Sequence, residues 1–496
     1  MNACEPYRHL LSKSTFMMGH QCPRRLWLYK KQPDLRPEIS ESQQMVFTKG
    51  TNTGLLAQQL FPGGKDAAPV DYFSYPAAIQ QTYDWINNSE AIIYEPAFQY
   101  DRVMAALDIL VNKNGSWHAY EVKASNELKE QFIMDAALQY YVITNAGLPL
   151  TDISIIHLNR DYVRQGSLDL KQLFKIVSIK KEVLALQKDI KTWVGKNKKI
   201  LLLKTEPKKD IGPHCSDPYE CEFVDHCWSH IPQISVFSLT RLNGAKKFEL
   251  YYKGAIEFHQ LPASYALTAS QQLQVKAYKE NYTHIERPNI KTWLKQLKYP
   301  LFFMDFETFM PAVPLYNNSR PYQQIPFQFS VHVQKTEAAP VTHAFFLGHP
   351  ENDPREEFIK QLIIATKGSG SILVYNKAFE CSRLKELQNI FPAYASSIDS
   401  ILNRIVDLME PFQKKWYYTA NMNGSYSIKA VLPALVPEMS YANLEIGEGG
   451  TAMAAFEGLL NINDEAEKQK VRIALLEYCK LDTVAMVRIL EKLKKI

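Results

Sequence analysis

Two carboxylates, two residues apart, close an apolar run: Leu301-Phe302-Phe303-Met304-Asp305-Phe306-Glu307-Thr308. On a strand they project from one face. Burying both without a cation is costly, so the pair points to a divalent metal. Further along, Tyr478 and Asp482 stand four residues apart, on one face of a helix. A second set is Asp108 with Glu121-Val122-Lys123, where alternation puts Glu121 and Lys123 on the same side of a strand. Two carboxylates and a lysine on neighbouring strands suit a divalent ion and a water poised beside a phosphodiester. The lysine would place the nucleophile or offset developing charge. Glu95 lies on the preceding strand, and Gln139, in Leu138-Gln139-Tyr140-Tyr141, can reach the same place from a helix. The third set is sulfur: Cys215, Cys221 and Cys227, spaced Cys-x5-Cys-x5-Cys, with Cys22 far upstream in Gln21-Cys22-Pro23.

The remaining composition bounds these readings. A chain of 496 residues exceeds one ordinary core, so two or three domains are expected. Its 46% hydrophobic and 22% charged residues are those of a globular protein. No run of about 18 apolar residues suggests a membrane span. Met1–Lys13 lacks the apolar core of a secretory signal, so a cytoplasmic protein is expected. Seven cysteines in that setting point to metal or redox chemistry before disulfides. The net charge of +5 permits a polyanionic partner. Lys171–Lys209 holds twelve lysines against Glu182, Asp189 and Glu206, either a solvated helix face or a phosphate-tracking surface.

Periodicity supplies the elements that must position these residues. In the first part, helices are expected over 12–31, with Cys22 inside and a kink at Pro23, and over 47–61 and 80–87. Strands follow over 91–99, 103–111 and 117–123, the last two joined by an Asn114-Gly115 hairpin turn. A helix over 128–146, a strand over 152–159 and a basic helix over 170–194 complete a mixed α/β core. Residues 231–295 read as a helical bridge. Beyond it, strands at 300–308, 327–333, 342–347 and 371–375 alternate with helices at 356–366 and 376–387, and a long helix over 466–495 carries Tyr478 and Asp482.

Residues 1–230 resemble a RecB-like PD-(D/E)XK nuclease of the iron–sulfur branch, which includes the AddB nuclease and CRISPR-associated exonucleases. Asp108, Glu121 and Lys123 match the nuclease motif, and Gln139 with Tyr141 matches the family's Gln-and-Tyr helix. Cys22, Cys215, Cys221 and Cys227 match four cysteines that close a 4Fe–4S cluster in that branch. The family's usual early-helix histidine has no counterpart in Gly50-Thr51-Asn52-Thr53-Gly54. Zinc is the rival for four cysteines, but zinc sites usually show two short Cys-x2-4-Cys knuckles, absent here. A lone cysteine far upstream suits a cluster that staples the ends of a domain. Cys4, Cys381 and Cys479 read as ordinary thiols.

Residues 296–496 resemble a DnaQ-like DEDD exonuclease on a ribonuclease-H-like fold. Asp305 and Glu307 match its first motif. Asn376 and Phe379 match the second, with Glu380 where aspartate is usual, and Asp407 is a competing acid. Tyr478 and Asp482 match the third motif in its tyrosine version. The resemblance implies two Mg²⁺ or Mn²⁺ ions held by Asp305, Glu307, Glu380 and Asp482, with Tyr478 orienting a water. Lys429, in a helix opened by Gly424-Ser425, is a candidate for the substrate phosphate. The two resemblances imply a metal-dependent nuclease, single-stranded DNA as partner, and repair or defence as settings. The alternatives are a nucleic-acid-binding protein with inactive sites, and a ribonuclease.

Overall fold

The chain divides after His230 into two units, the first of which also takes in Pro311–Gln323. The computed structural model describes residues 9–71, 74–441 and 444–496; Cys4 lies outside them.

In the first unit β1 (Leu11–Ser12) leads into α1 (Lys13–Gln21) and α2 (Pro23–Lys31). Ser12 caps α1: its hydroxyl accepts from the Thr15 N–H, and Thr15 is hydrogen-bonded back to the Ser12 backbone. The single helix expected here is two. Cys22 is fully extended between them, and Pro23 opens α2, where its missing N–H leaves no bond unmade. Next come α3 (Glu41–Gln58), β2 (Lys65–Asp66) and α4 (Tyr75–Asn87).

The two strands expected over 91–99 and 103–111 are four: β3 (Ile92–Tyr94), β4 (Ala97–Tyr100), β5 (Val103–Ala106) and β6 (Ile109–Lys113). Both break at an acid, Glu95 before Pro96 and Asp108 after Leu107. The Glu95 N–H donates to the Asp108 carbonyl across the break (2.9 Å). Glu95 takes a left-handed φ of 51° there, a strained conformation for a glutamate. The Asn114-Gly115 turn, with φ of 53° and 86°, joins β6 to β7 (Ser116–Lys123). After α5 (Glu130–Asn145), β8 (Leu150–Leu158) pairs parallel to β7.

The basic stretch differs from its expectation. A short α6 (Leu170–Leu173) gives way to β9 (Phe174–Ser178), and only then comes α7 (Lys180–Leu201). Phe174, Ile176 and Val177 favour a strand despite the surrounding lysines. The main sheet runs β2-β3-β6-β7-β8-β9; β1, β5 and β4 form a smaller one. Leu138 of α5 and Val183 and Ile190 of α7 pack with Ala119, Ile153 and Ile155. The alternate strand residues, Tyr120 and Ile156, pack with Ala57 of α3 and Ala312. The unit's last helix is α8 (Val224–Cys227).

The second unit begins with α9 (Gly244–Tyr252), α10 (Ala269–Glu280), β10 (His284–Ile285) and α11 (Arg287–Lys295). Residues 231–295, expected as a bridge, belong to this unit, and Ala277, Ile290 and Trp293 lie in its core. Then follow β11 (Leu301–Phe309), β12 (Ile325–Gln334), β13 (Val341–Leu347), α12 (Arg355–Ala365), β14 (Ile372–Val374), α13 (Lys377–Ile390), α14 (Ala395–Leu402) and β15 (Ile405–Asp407). The chain ends with α15 (Glu410–Gln413), β16 (Tyr417–Tyr418), α16 (Ile428–Leu435), α17 (Gly449–Gly458) and α18 (Glu465–Lys494). The sheet order is β13-β12-β11-β14-β15. The first three strands are antiparallel, while β14 and β15 run parallel to β11. Phe302, Met304 and Phe306 pack with residues of α12, α13 and α14; Leu301 and Phe303 pack with α16 and α18. Among the described residues, no helix is long and apolar enough to cross a membrane.

Candidate functional site

In the second unit β11 is buried along almost its whole length, yet carries Asp305 and Glu307 on one face. Alternation along β11 puts both carboxylates on the same side, and α18 supplies the opposing groups. Three polar contacts pin α18 to β12. Gln328 Nε2 donates to the Leu475 carbonyl (2.8 Å), Thr483 Oγ1 lies 2.7 Å from Ser330 Oγ, and His332 Nδ1 lies 2.8 Å from Thr483 Oγ1. These fix the face of α18 that presents Tyr478, Cys479 and Asp482, all buried. Ligand atoms of Asp305, Glu307 and Cys479 lie within 4.8 Å of one another. Asp482 is turned to Tyr441, whose hydroxyl donates to its Oδ1 (2.6 Å). Lys429 Nζ stands 5.7 Å from the ring centres of both Tyr441 and Tyr478, and donates to the Gly447 carbonyl (2.8 Å). A Cβ on Gly449, the first residue of α17, would stand 3.9 Å from Glu307 Oε2 and 4.0 Å from the Tyr478 hydroxyl. The helix start therefore borders the acids.

Glu380 lies in the first turn of α13 and is 2% exposed. Its Oε2 is buried without a hydrogen-bond partner. Asp407 has a different task. Its carboxylate accepts from the N–H groups of Asn376 (3.2 Å), Lys377 (3.1 Å) and Met409 (3.0 Å), capping α13 from β15.

The electrostatics follow from burial and like charge. Burial pushes Asp305 well above the carboxylate range, and Asp482, Glu307 and Glu380 push it further. Glu307 is raised by burial and by Asp482, with Lys429 pulling back. Burial pushes Asp482 up to about 6, against the Tyr441 hydrogen bond and Lys429. Burial pushes Glu380 up to about 8, opposed by its own backbone N–H and reinforced by Asp407. Tyr478 is raised far above the tyrosine range by burial, then by Asp482, Glu307 and Asp305. Asp305 thus feels three other carboxyl groups, while the Lys429 ammonium opposes the shifts of Glu307 and Asp482. The carboxyl oxygens are hard donors, and one of them is orphaned, so the set fits Mg²⁺ or Mn²⁺.

The first unit also brings its expected residues together. Glu121, 2% exposed, accepts from Lys123 Nζ at Oε1 (2.7 Å) and from Gln139 Nε2 at Oε2 (2.5 Å). Gln139 Nε2 also donates to the Ala106 carbonyl (2.8 Å). Asp108 Oδ2 accepts from the Val122 N–H (2.5 Å), which holds it against β7. Burial, Glu121 and Asp66 push Glu95 up to about 7, with Lys13 opposing. Asp108 is raised well above its ordinary value by burial, Glu121 and Glu95, with Lys13 opposing. Two further residues belong to the set. Lys13 Nζ lies 2.6 Å from Glu121 Oε1 and 3.4 Å from Asp135 Oδ2, and Lys123 Nζ lies 2.5 Å from the same Asp135 oxygen. Burial alone would lower Lys13, but the carboxylates of Asp135, Glu121 and Asp108 outweigh it and hold the ammonium well above the lysine range. Glu121 is held below the carboxylate range: Lys123, Lys13 and Gln139 outweigh its burial.

The four cysteines line one small pocket, together with Arg24, Arg25, Lys209, Asp210, His214 and Phe223. Gln21 Nε2 ties the end of α1 to the cysteine loop through the carbonyls of His214 (2.7 Å) and Tyr219 (2.6 Å). Arg24 pairs with Glu206, and Arg25 with Glu222 (2.7 Å). Trp27, Leu28 and Phe223 form a small core beneath. Burial pushes the thiols of Cys221 and Cys227 up to about 11 and also raises Cys22. Among the described residues, three ligand atoms come mutually within 4.8 Å only at Asp305, Glu307 and Cys479. No three of the four sulfurs therefore lie mutually within 4.8 Å. Four thiol donors lining one pocket suit a thiophilic metal centre.

Reading the chain for chemistry missed Lys13, Asp135, Tyr441 and the placement of Cys479. Asp135 carried a usable signal: it precedes Gln139 by four, so the two share a face of α5. Nothing near Lys13 or Tyr441 in sequence marks them.

Residues 302–427 match a family described as Domain of unknown function (DUF2779). That stretch holds Asp305, Glu307 and Glu380 and ends before Tyr478 and Asp482. The chain is 29% identical over 219 residues to the uncharacterized protein MG366 of Mycoplasma genitalium, covering 40% of this chain and 32% of that protein. It is 27% identical over 259 residues to the uncharacterized protein UU173 of Ureaplasma parvum, covering 46% and 36%. An MG366 homolog of Mycoplasma pneumoniae is 27% identical over 217 residues, covering 40% and 33%. The chain thus spans about a third of the length of these curated relatives.

Proposed function

We propose that the chain is a metal-dependent nuclease of single-stranded DNA whose hydrolytic site is the carboxylate set of the second unit, acting as a 3′–5′ exonuclease. The observation that carries this is the charge imbalance. Asp305, Glu307, Glu380 and Asp482 are gathered in and around one buried site, and among the described residues Lys429 is the ammonium that opposes Glu307 and Asp482. Carboxylates packed in this way repel one another unless a cation joins them. The sheet order β13-β12-β11-β14-β15, in which β12 runs against the other four strands, supports the ribonuclease-H-like, DnaQ-type reading.

Bound there, two Mg²⁺ or Mn²⁺ ions would polarise the phosphodiester, supply an activated water and stabilise the leaving 3′ oxygen. Asp305 and Glu307 would hold them from β11, Asp482 from α18 and Glu380 from α13. Tyr478 keeps its proton at neutral pH, because burial and three acids hold its hydroxyl far above the tyrosine range. It therefore acts as a hydrogen-bond donor that orients, not as a base. Lys429, beside Glu307 and Asp482, offers the positive charge for a substrate phosphate.

The first unit supports a RecB-like reading through its order: meander β3-β6-β7, helix α5, then β8 parallel to β7, with Glu121 and Lys123 on β7. Its residues do not fit a divalent ion as they stand. Both oxygens of Glu121 are committed, and Lys13 adds a second ammonium. No hydrolytic step is assigned to it. Cys22, Cys215, Cys221 and Cys227 would hold a 4Fe–4S cluster whose part is to staple the two ends of this unit. A cytoplasmic setting in repair or defence belongs to the same proposal.

The test is release of a 3′-terminal label from single-stranded DNA with Mn²⁺. Asp305→Ala abolishes release and Lys123→Ala leaves it within about twofold if the assignment to the second unit is right. Equal loss in both variants, or none in either, overturns it.

A further inference from the structure

Lys13 is badly placed by local rules. It is the first residue of α1, where the helix dipole disfavours a positive charge. The fold nevertheless aims it inward. Leu11 and Ser12 pair in parallel with Val103 and Met104 of β5, and the Ser12 cap fixes the start of the helix. The result is an ammonium 2.6 Å from Glu121 Oε1, on the very oxygen that also accepts from Lys123. Glu121 and Asp135 thus face Lys13 and Lys123, two carboxylates against two ammonium groups. Of the remaining acids, Asp108 is engaged by the Val122 N–H, and Glu95 stands close enough to be raised by Glu121. Among the described residues no three ligand atoms come mutually within 4.8 Å here, whereas Asp305, Glu307 and Cys479 do in the second unit.

We propose that the Lys13 ammonium is a built-in cation for the first unit: it stands where a divalent ion would bind Glu121, and keeps this nuclease-like core free of metal. The two units then divide the work. The second takes metal and hydrolyses; the first keeps the architecture and the lysines of a phosphodiester site without hydrolysing. Removing the charge at position 13 leaves Glu121, Asp135 and Lys123 with one ammonium for two carboxylates, and that deficit invites a divalent ion. This goes beyond the hydrolytic reading of the second unit and stands or falls separately from it.

The experiment uses the full chain carrying Asp305→Ala and Asp482→Ala, so that the second unit binds no metal, and reads bound Mn²⁺ by electron paramagnetic resonance. With Lys13 intact, the first unit takes up no Mn²⁺. Lys13→Ala gains one site, with affinity raised on the order of 100-fold, the scale of one unit charge removed from a few ångströms away. Adding Glu121→Gln to Lys13→Ala abolishes the new site. Lys13→Gln, which keeps a hydrogen-bond donor, gives the same gain if Lys13→Ala fails to fold. A first unit that binds Mn²⁺ equally with and without Lys13, through Glu121, overturns the proposal. So does a folded Lys13→Gln or Lys13→Ala chain that gains no site.

Discussion

Glu380→Gln should stabilise the metal-free second unit at alkaline pH while disabling it. In the folded chain Glu380 ionises at about 8, against an ordinary 4.5, because burial disfavours its charge. Between those values the folded state holds one proton more than the unfolded state. The stability tied to this proton is complete below about pH 4.5 and is lost as pH rises through about 8, at about 1.4 kcal/mol per pH unit and about 5 kcal/mol in all. Glutamine has the same shape and cannot ionise, so the variant loses this slope. The stability difference, variant minus wild type, should be within about 1 kcal/mol near pH 4.5 and rise to about 5 kcal/mol near pH 9. Urea unfolding of chelator-treated full chain across that range measures it, following the transition that added Mn²⁺ raises in wild type. Label release by the variant should fall on the order of 100-fold, since one metal-holding oxygen is gone. A difference that stays flat with pH, or a wild type that gains from Glu380 as pH rises, refutes the reasoning.

Tyr478→Phe removes the orienting hydroxyl without touching a carboxylate, so kcat should drop about 10- to 100-fold while Mn²⁺ affinity is unchanged, read by cleavage kinetics beside metal titration. Cys22→Ser should cost the iron content and the absorbance near about 400 nm of anaerobically purified protein, and lower the first unit's unfolding transition, with 3′-label release preserved. Gly370→Ala should destabilise the second unit by about 3 kcal/mol or more in thermal unfolding, because its Cβ would stand 1.8 Å from the Pro300 carbonyl oxygen and backbone must move.

Local pattern carried much of this fold into view. The apolar run around Asp305 and Glu307 is β11, and the Asn114-Gly115 turn joins β6 to β7 as its residue types require. A helix is present where one was expected to begin at residue 12, with Ser12 as its N-cap. What escaped is long-range. The breaks at Glu95 and Asp108 arise because two strands leave one sheet for another, which no alternation pattern encodes. β9 was hidden among lysines, since its register is set by pairing with β8. Pro311–Gln323 reads as a loop between two strands of one unit, yet belongs to the other, where Arg164 donates to the carbonyls of Pro314 (3.0 Å) and Leu315 (2.7 Å). The candidate sites follow the same division. Residues within a motif were legible from spacing, whereas Lys13 meets Glu121 across 108 positions and Tyr441 meets Asp482 across 41.

The proposed activity is hydrolysis of DNA from its 3′ end at the second unit's carboxylates. The most direct measurement is a time course of 5′-labelled single-stranded DNA with Mn²⁺, resolved to single nucleotides. The expected result is a ladder that shortens one nucleotide at a time from full length in wild type and is absent in Asp305→Ala. Internal cuts without a ladder, or an unchanged ladder in Asp305→Ala, would contradict it.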